Sequence, residues 1–152
     1  MTTAVTIRLA TEQDIPAVAR LFDAYRQFYE QAPDLALATT FIGERMARKE
    51  SHILLAVDEQ GEAMGFCQLY PSYCSVIAQP IFTLYDLYVA PEARKLGVGK
   101  GLLQAAEELG RSHGVARLDL TTARTNNNAQ SIYRAMGWAL DEVFLAFNKK
   151  VL

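Results

Sequence analysis

Apolar positions along this chain switch between a period of two and a period near 3.6, and the switches outline its elements. Residues 5–9 alternate and predict a first strand. Ile15, Val18, Leu21, Phe22, Tyr25 and Phe28 then recur at helical spacing, with Asp14 as the expected cap and Pro16 tolerated in the first turn. Pro33-Asp34 closes that helix and opens another, striped by Leu35, Ala38, Phe41, Ile42 and Met46. Residues 52–57 and 63–70 read as strands around an Asp58-Glu59-Gln60-Gly61 turn, 71–80 as an irregular segment, and 81–89 as a long strand. Val98, Leu102, Ala105, Ala106 and Leu109 mark a helix that ends near Gly114. A strand at 115–122 follows, then a helix from Asn126 to Gly137 and a last strand at 142–148. The order β-α-α-β-β-β-α-β-α-β predicts an α+β (mixed α/β) domain rather than a doubly wound parallel sheet. Helices on both sides of the fifth strand predict local parallel pairing there.

The chemistry concentrates where the long strand meets the next helix, at Arg94-Lys95-Leu96-Gly97-Val98-Gly99-Lys100-Gly101. The N–H groups of a first helical turn have no partner within the helix, and the dipole adds positive charge to them. Such a terminus suits a phosphate or pyrophosphate. Gly97, Gly99 and Gly101 allow close approach to the backbone, and Arg94, Lys95 and Lys100 add charge. The spacing is not a P-loop, because Gly101 stands where a Ser or Thr must follow Gly99-Lys100. Nor is it the dinucleotide fingerprint, since the loop lies two thirds along the chain and its glycines are spaced differently.

With 152 residues, 51% of them hydrophobic, a single domain over 1–152 with a full core is expected. A net charge of −2 argues against nucleic acid as a partner. Two cysteines, Cys67 and Cys74, are too few for a disulfide framework, and two histidines with no metal-ligand spacing make a metal site improbable. The opening Met1-Thr-Thr-Ala-Val-Thr-Ile-Arg8 has no long apolar run, so a cytoplasmic protein with no membrane segment is the expectation.

A second motif stands apart from the loop: Asn126-Asn-Asn-Ala129-Gln-Ser-Ile-Tyr133-Arg-Ala-Met-Gly137-Trp138, beginning 27 residues after Gly99. Taken alone it is also an ordinary capped helix. Together, Arg94-x-x-Gly97-x-Gly99, this helix and the opening Arg8-x-Ala10-Thr11-x-x-Asp14 resemble the signatures of the GNAT superfamily of N-acetyltransferases, over nearly the whole chain. The long strand and the Gly-Trp ending resemble the branch related to polyamine and histone-tail enzymes.

The resemblance implies a central mixed, mostly antiparallel sheet of six to seven strands flanked by about four helices. It implies acetyl-CoA as cofactor and direct acetyl transfer to a primary amine in a ternary complex. The acceptor is left open between a polyamine, an amino acid or other small amine, and a protein lysine or N-terminus. Cofactor contacts carried over are Leu87, Tyr88 and Val89 by backbone, then Arg94, Lys95, Leu96, Gly97, Val98, Gly99, Lys100 and Gly101, and finally Asn126, Ala129 and Tyr133. Tyr133 matches the usual general acid, although a core tyrosine on a helix stripe reads the same way. Asp86 is the candidate base or cation-attracting group, set against a plain ion-paired strand carboxylate. Many relatives carry a glutamate one place earlier, where this chain has Tyr85. Tyr25, Phe28, Tyr29 and Glu30, with Tyr70 and Tyr73, are either an acceptor wall or packing residues. A homodimer contact through the last strand is also implied. The competing reading is a non-catalytic acyl-CoA-binding sensor or interaction module on the same fold.

Overall fold

A computed structural model describes residues 4–152; Met1 to Thr3, at the head of the opening segment, lie outside the described residues. The chain divides into two compact units, Met1–Leu120 and Thr121–Leu152.

The first unit is one mixed sheet in the order β1-β2-β3-β4-β5 with three helices. The strands are β1 (Thr6–Leu9), β2 (His52–Val57), β3 (Ala63–Cys74), β4 (Gln79–Val89) and β5 (Leu118–Asp119). The first four pair antiparallel, and β4 pairs parallel with β5. The helices are α1 (Ile15–Phe28), α2 (Leu35–Ala47) and α3 (Val98–Ser112). The centres of the predicted stripes are the buried faces, Val18, Leu21 and Phe22 on α1, Ala38 and Ile42 on α2, Val98, Leu102 and Ala106 on α3, while Phe28 and Leu35 at the helix ends are exposed. They close on Leu55, Phe66 and Leu69 of the sheet. No described helix is long and apolar enough to cross a membrane.

Four expectations change. Asp14 precedes α1 but does not cap it. Its carboxylate instead takes the Arg8 guanidinium at 2.7 and 3.0 Å and the Thr11 N–H at 2.7 Å, and Arg8 holds it well below the usual carboxylate range. Residues 71–80 are not irregular: β3 and β4 form one long hairpin closed by a turn at residues 75–78. β2 leaves β3 at Leu69, so Pro71 sits where one edge of β3 is open and its missing N–H disrupts no ladder. The strand expected at 115–122 shortens to Leu118–Asp119, because β4 and β5 part after Thr83 and Asp119.

Among the described residues the sheet therefore has five strands rather than six to seven. Residues 142–148 form no ladder; Val143, Phe144, Leu145 and Phe147 are 75–90% exposed, and a strand without a partner is not stable alone. The second unit holds α4 (Asn127–Ala135), capped as the sequence predicts. Asn126 Oδ1 accepts the Ala129 N–H at 3.2 Å, and Gly137 at φ 92° closes the far end, with the Trp138 N–H on the Tyr133 carbonyl.

Two glycines set how closely α3 lies on the sheet. A Cβ on Gly65 of β3 would sit 2.9 Å from the Tyr88 carbonyl oxygen and 3.2 Å from Val98 Cγ1. A Cβ on Gly101 would sit 2.7 Å from Ile7 Cδ1. Gly101 thus lies close against β1, where a side chain would push the end of Ile7 aside, independently of any ligand. Gly65→Ala is expected to cost about 1–3 kcal/mol, read in urea unfolding, because the Tyr88 backbone carbonyl cannot yield cheaply.

Candidate functional site

β4 carries two features at successive heights, a cavity around Asp86 and the loop that follows Val89. A bulge builds the first. Gln68 of β3 faces Asp86, but the next residue, Leu69, faces Leu84, so Tyr85 is the extra residue. Asp86 is buried at 5% exposure while Tyr85 remains outward at 67%.

The Asp86 carboxylate is held from below. Gln68, itself fully buried, donates from Nε2 to Asp86 Oδ2 at 2.7 Å, and Ser51 donates from Oγ to Gln68 Oε1 at 2.7 Å. The Tyr25 hydroxyl reaches both the Tyr85 carbonyl oxygen, at 3.3 Å, and the carboxylate. Burial raises the Asp86 pKa above the ordinary value, and the bonds from Gln68 and Tyr25 offset part of that rise. Burial first, and Asp86 second, push the Tyr70 phenol up to about 12.

Above the carboxylate opens a cavity of about 300 Å³ lined by Phe22, Tyr25, Arg26, Tyr29, Phe41, Tyr70, Tyr85 and Asp86. That volume is at the low end for small-ligand sites. The rings brace one another: Phe22 on Phe41 at 5.4 Å, Tyr25 on Tyr29 at 5.2 Å, Tyr70 on Tyr85 at 5.6 Å. Of the predicted acceptor wall, Tyr25, Tyr29 and Tyr70 line this space. Phe28, Glu30 and Tyr73 do not; Phe28 and Tyr73 are exposed, and Glu30 sits in a turn at φ 64°.

The second feature is the loop. A short 3₁₀ turn, Pro91–Ala93, leads to Arg94, whose Nε donates to the Val89 carbonyl at 3.1 Å and whose guanidinium lies 5.7 Å from the Tyr88 ring centre. Lys95 and Gly97 both turn left-handed, at φ 72° and 78°. A lysine in that region carries backbone strain, of the sort concentrated at ligand-binding turns. Gly97 caps α3 in this conformation, which a side chain would strain. Among the described residues, the N–H groups of Lys95, Gly97, Val98, Gly99 and Lys100 donate to no protein acceptor. The first turn of α3 contains no acidic residue, and Arg94, Lys95 and Lys100 are exposed around it. Converging free donors, positive charge and a backbone unshielded by Cβ atoms fit the diphosphate of coenzyme A.

Leu87, Tyr88 and Val89 lie on β4 past the point where β5 has parted from it, so no strand covers that edge among the described residues. Asn126, Ala129 and Tyr133 belong to the second unit, on α4 and its cap, with Tyr133 6.1 Å from Trp138 between ring centres. Among the described residues, no group of three or more His, Cys, Asp or Glu could hold a metal ion.

Sequence reasoning missed Ser51, Gln68, Phe22, Arg26 and Phe41. Gln68 had a signal: it is the one polar residue in the run Ala63-Met-Gly-Phe-Cys-Gln-Leu69. Arg26 had a weaker one, a cation inside the aromatic end of α1.

Residues 16–138 match the model of the acetyltransferase (GNAT) family. An uncharacterized N-acetyltransferase of Bacillus subtilis, YhfO, is 43% identical over 93% of this chain and 94% of its own. A solved probable acetyltransferase superposes with a TM-score of 0.91 at 36% identity, covering 97% of this chain and 98% of that one. An aminoglycoside N-acetyltransferase solved with CoA shares the fold at a TM-score of 0.82 and 19% identity, over 99% and 98% of the two chains.

Proposed function

This chain belongs to the acetyltransferase (GNAT) family and is an N-acetyltransferase that uses acetyl-CoA; from that premise we propose that it acetylates a small primary amine held in the Asp86 cavity. The observation that carries this reading is a buried carboxylate, fixed by Gln68 and Ser51, at the floor of an aromatic cavity. Alkyl ammonium groups have a pKa near 10.4 and cannot attack until a proton leaves. Aromatic faces and a carboxylate first attract the cation. Asp86, whose basicity burial has raised, then draws off the proton, a service worth about 10²- to 10⁴-fold.

The diphosphate is held by the free N–H groups of residues 95–100 and by Arg94, Lys95 and Lys100. Bound there, acetyl-CoA supplies a thioester whose acetyl carbon bonds to the amine nitrogen as its bond to sulfur breaks. On this reading the backbone of Leu87, Tyr88 and Val89 orients the cofactor arm, and Asn126 and Ala129 contribute from the second motif. Tyr133 returns a proton to the departing sulfur. The family match spans both compact units, which supports one catalytic domain. Homodimerisation through the apolar 143–147 segment and a cytoplasmic setting belong to the same reading.

The test is a free-thiol release assay with acetyl-CoA against a panel of amines and basic peptides. Tyr133→Phe is expected to lower turnover about 100-fold and leave CoA affinity, measured by calorimetry, unchanged. A non-catalytic binding module would show no turnover to lose.

A further inference from the structure

Only two of the eight residues lining the Asp86 cavity carry charge: Asp86 and Arg26. The acid already has partners in Gln68 and Tyr25, with acceptor capacity left over. The guanidinium has none. Arg26 Nη1 is buried with no hydrogen-bond partner, and no ion pair among the described residues involves Arg26. Arg45, beside the same wall, also leaves a buried nitrogen, Nε, without a hydrogen bond, but its charge is met: it pairs with Glu44 at 3.4 Å and Glu50 at 3.5 Å and lies 4.4 Å from the Phe41 ring centre. An unpaired donor on a cation is costly when water is displaced around it. α1 nevertheless places Arg26 in the cavity wall, among Phe22, Tyr25 and Tyr29, with Nη1 covered behind it.

Resting on the proposed amine site at Asp86, we infer that the acceptor is a zwitterion of the amino-acid class, whose carboxylate pairs with Arg26 while its amine lies at Asp86. The charges match one for one. A cavity with one cation and one anion is neutralised by a ligand carrying one of each. A plain diamine would leave Arg26 unpaired beside a second cation, and a phosphate dianion would leave a negative charge over. The guanidinium fork fits a carboxylate in a two-point contact that a lysine cannot reproduce. The volume of about 300 Å³ suits a single amino acid better than a peptide.

Matched pairs isolate the carboxylate: L-lysine against cadaverine, and L-leucine against 3-methylbutylamine, each assayed by thiol release with acetyl-CoA. In at least one pair the acid-bearing member is expected to have a kcat/KM about 10-fold or more above its partner. In Arg26→Gln that ratio falls at least about 10-fold, chiefly through KM, and Arg26→Lys retains part of it. A ratio near one in the wild-type protein overturns the inference even if the Arg26 variants fail to fold. An unchanged ratio in folded Arg26→Gln overturns it as well. Turnover without preference rejects the carboxylate site alone, whereas silence across both pairs and the wider amine panel rejects the proposed function with it.

Discussion

Asp86→Asn is expected to slow acetyl transfer by about 10²- to 10⁴-fold while making the protein more stable at neutral pH. Both effects follow from one cause, the burial of a carboxylate that the fold only partly compensates. The unfolded chain presents an aspartate with a pKa near 3.9. In the folded protein burial raises it. The folded state therefore binds more protons than the unfolded state above about pH 4, and stability attributable to this group falls as pH rises through the folded pKa. At pH 7 the charged, buried form is a net cost. Asparagine keeps the volume and can still accept the Gln68 Nε2 hydrogen bond, but it carries no charge to desolvate. For a chain of this length each kcal/mol recovered raises Tm by about 2–4 °C. Calorimetric melting at pH 4 and pH 7 reads the second effect: the gain should be larger at pH 7. The activity profile supplies an independent sign. A base must be ionised, so kcat/KM of the wild-type protein rises with pH through the Asp86 pKa, and the residual activity of Asp86→Asn lacks that limb. A variant that keeps full turnover removes Asp86 from the chemistry.

Most of the architecture could be read from periodicity because α1, α2 and α3 each bury one continuous stripe, and local spacing encodes such a stripe. The unpaired backbone donors of residues 95–100 could also be anticipated, since they follow from a helix start and from which positions lack a side chain. The five-strand count was not. Whether residues 118–122 or 142–148 form strands depends on a partner at a distance in sequence, and β5 stops where β4 diverges from it. The irregular reading of residues 71–80 failed for the same reason. Pro71 signals a break only if both edges of its strand are paired, and β3 has one edge open there. Asp86 was visible as a candidate, and its setting was not: the bulge at Tyr85 is a register shift between two strands, and no local pattern announces it. Arg26 and Gln68 gained meaning only when α1 and β3 brought them to the same carboxylate-floored cavity.

Gly99→Glu is expected to abolish CoA binding without unfolding the chain. A Cβ at position 99 would meet only Val89 Cγ2, at 3.8 Å, which is ordinary contact, and Gly99 does not adopt a left-handed conformation. A glutamate in the first turn of α3 also complements the helix dipole and replaces a poor helix former, so melting should be unchanged or slightly higher. The same carboxylate sits among the free N–H groups that would meet the diphosphate. Two like charges about 5 Å apart at an effective dielectric near 20 repel by roughly 3 kcal/mol. That corresponds to at least a 100-fold loss of affinity per phosphate charge so opposed. Raising salt should recover little, because contacts this short lie well inside a Debye length. Gly99→Ala separates bulk from charge: it adds the Cβ alone and should weaken binding far less. Calorimetry on the three proteins gives the answer directly. Equal CoA affinity in folded Gly99→Glu would move the diphosphate away from residues 95–100, and with it the geometry that aims the acetyl group toward Asp86.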